Sequence, residues 1–206
     1  MRETSMWCST PWRAEALALS LALWACGPAS AWADPPQAPK ASSPAATAAA
    51  SHPWLAGSRL QGEATLRYWG LRVYRARLWT LPEFRPQESA SQPLLLELHY
   101  LLDLKGQAIA ERSVQEMRRA PGFAETQATQ WLAQMKQLFP DVKAGDRLTG
   151  LHLPGQGVRF WHNERLLGEV PDAQFAQRFF GIWLAPSTSE ADMRLALLGL
   201  DAAGQR

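Results

Sequence analysis

Between residues 60 and 80 the chain reads LQGEATLRYWGLRVYRARLWT, with apolar and long polar side chains in alternation and Tyr, Trp, Val and Leu recurring. A period of two in such residues predicts extended structure. Gly70 interrupts the run near its middle, which leaves two strands or one bent strand. The run 94–102 (LLLELHYLL) predicts another strand, followed by a turn at Leu104-Lys105-Gly106. Ile109, Val114 and Met117 recur at near-helical spacing and predict a helix over 107–119, ended by Pro121-Gly122. Ala128, Trp131, Leu132 and Met135 form the apolar stripe of a second helix, 124–138, stopped by Phe139-Pro140-Asp141. A strand meander follows at 147–153, 157–162 and 166–170, with turns at Pro154-Gly155-Gln156 and Asn163-Glu164. Asp172 is a good N-cap for a helix running to Trp183, whose apolar side carries Phe175, Phe179 and Phe180. Ser187-Thr188-Ser189-Glu190 opens a last helix over 191–200. These elements predict an α+β fold, an antiparallel sheet with helices packed on one face.

Ahead of this domain the pattern changes twice. Residues 1–33 read as a secretory signal: Arg2 and Arg13 are basic, 14–25 is an apolar stretch, and Ala31-Trp32-Ala33 is a small-x-small cleavage site. The alternative is a lipoprotein leader, in which Leu23-Trp24-Ala25-Cys26-Gly27 makes Cys26 the lipidated residue. The apolar stretch is too short to span a bilayer, so no membrane span is expected. Residues 34–52 are rich in Pro, Ala and Ser and read as a disordered linker. The domain then covers 53–201, with a tail at 202–206. A signal implies a periplasmic or secreted protein, and lipidation a membrane-anchored one. Cys8 and Cys26 are the two cysteines and both lie in the leader, so no disulfide is expected to brace the domain. A net charge of +2, with scattered Arg and Lys, argues against a nucleic-acid surface.

The order of these pieces resembles the chalcone isomerase-like family over about 60–200. The resemblance rests on Val73-Tyr74 with Leu78-Trp79, the strand-turn-helix 98–117, Phe139-Pro140, Gly145-Asp146, and Phe179-Phe180-Gly181-Ile182-Trp183-Leu184. It implies an open-faced β-sandwich with an apolar cleft between sheet and helices, and an arginine receiving an oxyanion or carboxylate. It implies one of two activities: chalcone cyclisation, or fatty-acid binding without catalysis. Carried over by position, the isomerases' helix tyrosine falls on Ile109, their asparagine on Glu116 and their strand threonine near Trp69. Their arginine falls at or beside Leu66, with Arg67 one position on and Arg59 reachable through a gap. The isomerases' polar cluster is thus replaced, and the resemblance favours a binder of a fatty acid or similar amphipathic carboxylate.

Arg67 and Tyr68 are the first candidates for a ligand anchor, since a guanidinium and a phenol can share one carboxylate. The alternative is a solvent-facing strand arginine. Trp69, Tyr74 and Trp79 are candidates for lining an apolar pocket, or for plain core. If the domain is instead an isomerase or intramolecular lyase on another substrate, Glu116 and Tyr74 are its acid/base candidates. Otherwise Glu116 pairs along its helix with Arg112 or Arg119. Glu97 and His99 share a strand face, and His152 and His162 sit on other strands, but no spacing typical of metal ligands links them. Glu97 is expected to pair with a basic residue on a neighbouring strand, and no metal site is expected. Asp141, Asp146 and Asp172 read as turn and cap residues. Ser113 has no neighbouring His or Asp, and no phosphate loop or dinucleotide fingerprint is present, so no cofactor is expected. A third reading is a partner-binding lipoprotein domain with no ligand pocket.

Overall fold

The computed structural model describes residues 52–200. The expected leader with Cys26, nearly all of the expected linker and the expected tail lie outside them. Six strands form one antiparallel sheet in the order β1-β2-β3-β4-β5-β6. They are β1 Arg59–Tyr68, β2 Leu71–Thr80, β3 Leu94–Tyr100, β4 Arg147–Leu153, β5 Gly157–His162 and β6 Arg165–Val170. Two helices, α1 Gly106–Met117 and α2 Glu125–Leu138, fill the excursion between β3 and β4. Helices α3 Ala173–Leu184 and α4 Ala191–Leu198 follow the sheet. A short 3-10 turn, Pro86–Ser91, joins β2 to β3.

The strand alternation sorts two cores. Leu94, Leu96, Leu98 and Tyr100 of β3 join Ala76 and Leu78 of β2 and Phe160 of β5 on one face, where all four helices pack. Edge-to-face rings bind this layer, including Phe160 on Phe179 at 5.0 Å and Phe139 on Phe160 at 5.1 Å. The intervening residues point to the other face, where Leu95, Leu151 and Trp161 make a smaller cluster with Trp54 and Trp79.

That second face is covered in part by the chain just before β1. Trp54 stacks flat on Trp161, with centroids 4.5 Å apart. His52 leans on Trp79 and donates its backbone N–H to the Ser58 hydroxyl at 3.0 Å. Beneath it lies the carboxylate of Glu97, only 8% exposed. His52 approaches it at 3.7 Å, Arg77 at 3.8 Å and Arg147 at 3.9 Å. His52 first, then the two guanidiniums, hold the Glu97 carboxyl below the usual carboxylate range against the cost of burial. Arg77 stands opposite Glu97 in the β2–β3 register, so the expected cross-strand pair forms.

Local chemistry closes the remaining elements. Asp172 caps α3, accepting from the N–H groups of Gln174 at 2.8 Å and Phe175 at 2.9 Å. Its other oxygen accepts from the Trp131 indole at 2.9 Å, which ties α2 to the start of α3. Asp146 holds the β4 entry: it accepts from the Asn163 amide at 3.0 Å and the Lys143 N–H at 2.8 Å, and these hold its carboxyl down at about 2.

Candidate functional site

Where strand β2, helix α1 and the α3–α4 connection meet, polar groups cluster at the margin of the main core. Tyr74 of β2 lies with its ring edge against Tyr100, and its hydroxyl accepts a hydrogen bond from the Trp183 indole of α3 at 2.9 Å. Burial raises the Tyr74 phenol well above its ordinary range, with Glu190, Arg112 and Glu116 also acting on it electrostatically. On α1, Glu116 Oε1 meets Arg112 at 2.6 Å, and Oε2 meets Arg119 at 3.8 Å. The Ser189 hydroxyl, just before α4, donates to the same Oε2 at 2.9 Å. Both arginine pairs follow from the helical spacing of the sequence. The Glu116 side chain is 9% exposed, against 53% for Arg112 and 52% for Arg119.

Inward from this cluster the layer is closed. Leu96, Leu98, Leu148, Phe160, Phe179 and Trp183 leave a cavity of about 10 Å³ between sheet and α3, room for about one water. A larger hollow of about 120 Å³ lies at the far end of β5 and β6, beside the Arg159–Glu169 pair, and shares no residue with the Tyr74 cluster.

The sequence candidates part company here. Tyr74 and Glu116 come together in one cluster. Arg67, Tyr68 and Trp69 do not join it: they form the exposed tip of the β1–β2 hairpin, with Tyr68 54% and Trp69 88% exposed. The expectation that they line a cleft beside Tyr74 fails on geometry. A register irregularity between Leu66 and Arg67 shifts the pairing just before the turn, so alternation read outward from Tyr74 no longer assigns the face. Arg59 sits at the opposite end of β1, donating to the Pro82 carbonyl at 3.1 Å. Trp79 belongs to the outer-face cluster with Trp54, not to the helix-covered layer.

Glu97, His152 and His162 do not come together either. His152 is buried and bonds the Gln92 carbonyl at 3.1 Å, and burial holds its pKa down. His162 faces Asp146 at 3.1 Å. Among the described residues no group of three or more His, Cys, Asp or Glu side chains is arranged to hold a metal ion. No helix among them is long and apolar enough to cross a membrane. Sequence spacing gives Arg112 and Arg119 only as partners of Glu116, and Ser189 only as part of the opening of α4. The i−4 and i+3 spacing around Glu116 was the available signal for the two arginines.

An open antiparallel sheet with helices on one face and an apolar layer between them defines an α+β protein of the open-faced β-sandwich class. A family model described as chalcone isomerase-like matches residues 57–199, and the chain belongs to that family. An uncharacterized protein of Haemophilus influenzae is 32% identical over 133 residues, covering 64% of this chain and 63% of that protein. The chain therefore spans a little under two thirds of the length of that curated relative. Among solved structures, the Arabidopsis thaliana fatty-acid binding protein AtFAP1 superposes with a TM-score of 0.53 at 11% identity, over 72% of this chain and 95% of that chain. At such identity the likeness establishes the fold.

Proposed function

We propose that the domain binds an amphipathic carboxylate without transforming it. The acyl chain would lie between sheet and helices, with the acid group at Arg112 and Arg119. One observation carries the non-catalytic half: both oxygens of Glu116 are engaged, by Arg112, Arg119 and Ser189. A general base has to face the proton that it takes, and these contacts turn the Glu116 carboxylate toward the arginines of its own helix and Ser189. Tyr74 is no better placed as an acid/base, since its oxygen already accepts from Trp183 and burial disfavours the phenolate.

The ligand class is supported by the fold shared with AtFAP1, a fatty-acid binding protein. It is supported also by chemistry: two half-exposed guanidiniums stand at the margin of an apolar layer, and the N–H groups that they do not spend on Glu116 can receive a ligand acid beside it. The chain enters by displacing side chains, and Met117, Met135 and Met193 in the same layer are the adaptable ones. Taken with the leader, this reading makes the domain an exported binder.

Titration of a long-chain saturated fatty acid into the wild type and Arg112→Ala tests the reading. Loss of a charge-assisted hydrogen bond costs about 1.5–3 kcal/mol, so the variant is expected to bind tenfold or more weakly. Equal affinities would remove Arg112 from the site. A second reading, a partner-binding domain without a ligand pocket, is favoured by the cavity of about 10 Å³. Failure of the wild type to take up any fatty acid would select it.

A further inference from the structure

The β1–β2 hairpin ends in a feature that neither the core nor the proposed ligand site uses. Tyr68 and Leu71 are the last paired residues, and Trp69-Gly70 makes the two-residue turn between them. Both turn residues have positive φ, 52° and 80°, as in a type I′ turn. Such turns favour Asn-Gly, Asp-Gly or Gly-Gly, because a bulky L side chain is strained there. This chain instead holds its largest apolar side chain in that conformation and leaves it 88% exposed. Tyr68 at 54% and Leu71 at 64% flank it, so three large apolar side chains project together.

Charge sharpens the picture. Arg67 and Arg72 are direct cross-strand partners. Like charges set opposite each other repel, and residues 66–72 contain no acid. Among the described residues neither arginine makes an ion pair, whereas Arg75 and Arg77 further along β2 both reach Glu63. The tip is an apolar point with a cationic collar that lacks an anion.

We infer that this hairpin tip docks on an anionic phospholipid bilayer, inserting Tyr68, Trp69 and Leu71 into the interfacial layer while Arg67 and Arg72 receive lipid phosphates. Trp and Tyr have an apolar body and a polar end, the combination that suits the headgroup region. Guanidiniums match phosphate oxygens in pairs and reach upward from a shallow insertion. A protein partner fits less well, because a stable interface takes roughly 20–30 residues a side and this turn offers residues 67–72 on a projecting point. The inference is independent of the fatty-acid reading, although a bilayer is where such a ligand would be collected or released.

The test uses the full chain and vesicles of phosphatidylcholine, with and without phosphatidylglycerol. Trp69→Asn is the informative variant: it creates the preferred Asn-Gly turn, so its melting temperature should equal or exceed the wild type's. The expected result is that the wild type co-sediments with the anionic vesicles and is quenched by brominated acyl chains. Trp69→Asn should bind at least tenfold more weakly and lose that quenching. A doubly substituted Arg67→Gln, Arg72→Gln protein should lose roughly thirtyfold on anionic vesicles, taking about a fivefold loss per charge, with little change on neutral ones. Equal vesicle binding by the wild type and these variants would overturn the inference, as would absence of wild-type binding to anionic vesicles. So would variants that bind vesicles normally but lose association with a protein.

Discussion

Replacing Trp131 with alanine is expected to cost about 3–5 kcal/mol of stability. The ring is 1% exposed and packs edge-on against Phe123 at 5.8 Å and Phe175 at 5.7 Å. Its indole N–H donates to the same Asp172 that caps α3. Alanine therefore opens a cavity between α2 and α3 and removes a bond to the cap in one step. Trp131→Phe separates the two contributions. It keeps most of the packing and loses a hydrogen bond to a charged group, about 1.5 kcal/mol. Urea unfolding of the two variants, with unchanged slopes, measures both. A Trp131→Ala loss below about 1 kcal/mol would mean that the α2–α3 contact contributes little to the fold.

Gly62→Val is expected to be nearly as damaging, by steric exclusion. A Cβ built on Gly62 would lie 2.1 Å from the Ala196 carbonyl oxygen and 2.4 Å from that of Leu197. Both are backbone atoms of α4, so no side chain can rotate away and the helix itself has to shift. The neighbouring Gln61 amide donates to the Leu198 carbonyl at 2.9 Å, and that bond would be strained as well. Overpacking of this kind costs about 3 kcal/mol. Hydrogen exchange should locate the damage: amides of β3 to β5 lose protection only by the drop in global stability, while those of α4 lose more. Uniform acceleration, or none, would contradict this description of how α4 docks.

Much of the fold was legible because its signals are local. The Asp172 cap, the apolar stripes of α1 and α2, the meander 147–170 and the pairs of Glu116 with Arg112 and Arg119 all follow from spacings of a few residues. What escaped depends on long-range geometry. The pairing irregularity at Leu66 and Arg67 undid face assignment at the hairpin tip, which moved Arg67, Tyr68 and Trp69 from an expected cleft to solvent. Trp79 reads as pocket lining or plain core, yet alternation along β2 turns it to the other face, where it joins Trp161 and Trp54. His52 fell at the end of the Pro/Ala-rich stretch, and only the three-dimensional approach to Glu97 gives it a role. The near-complete filling of the sheet–helix layer was equally hidden, since it depends on how Phe160 of β5 interlocks with Phe179 and Trp183 of α3.

The central claim is that a small amphipathic acid occupies this layer, and native mass spectrometry of the full chain with an added long-chain saturated fatty acid tests it most directly. The account predicts one adduct of the acid's mass per chain, retained under gentle ionisation and strongly reduced in Arg112→Ala. A bare protein mass at every fatty-acid concentration, from a chain that is folded by its near-ultraviolet spectrum, would contradict it and leave the partner-binding domain as the function.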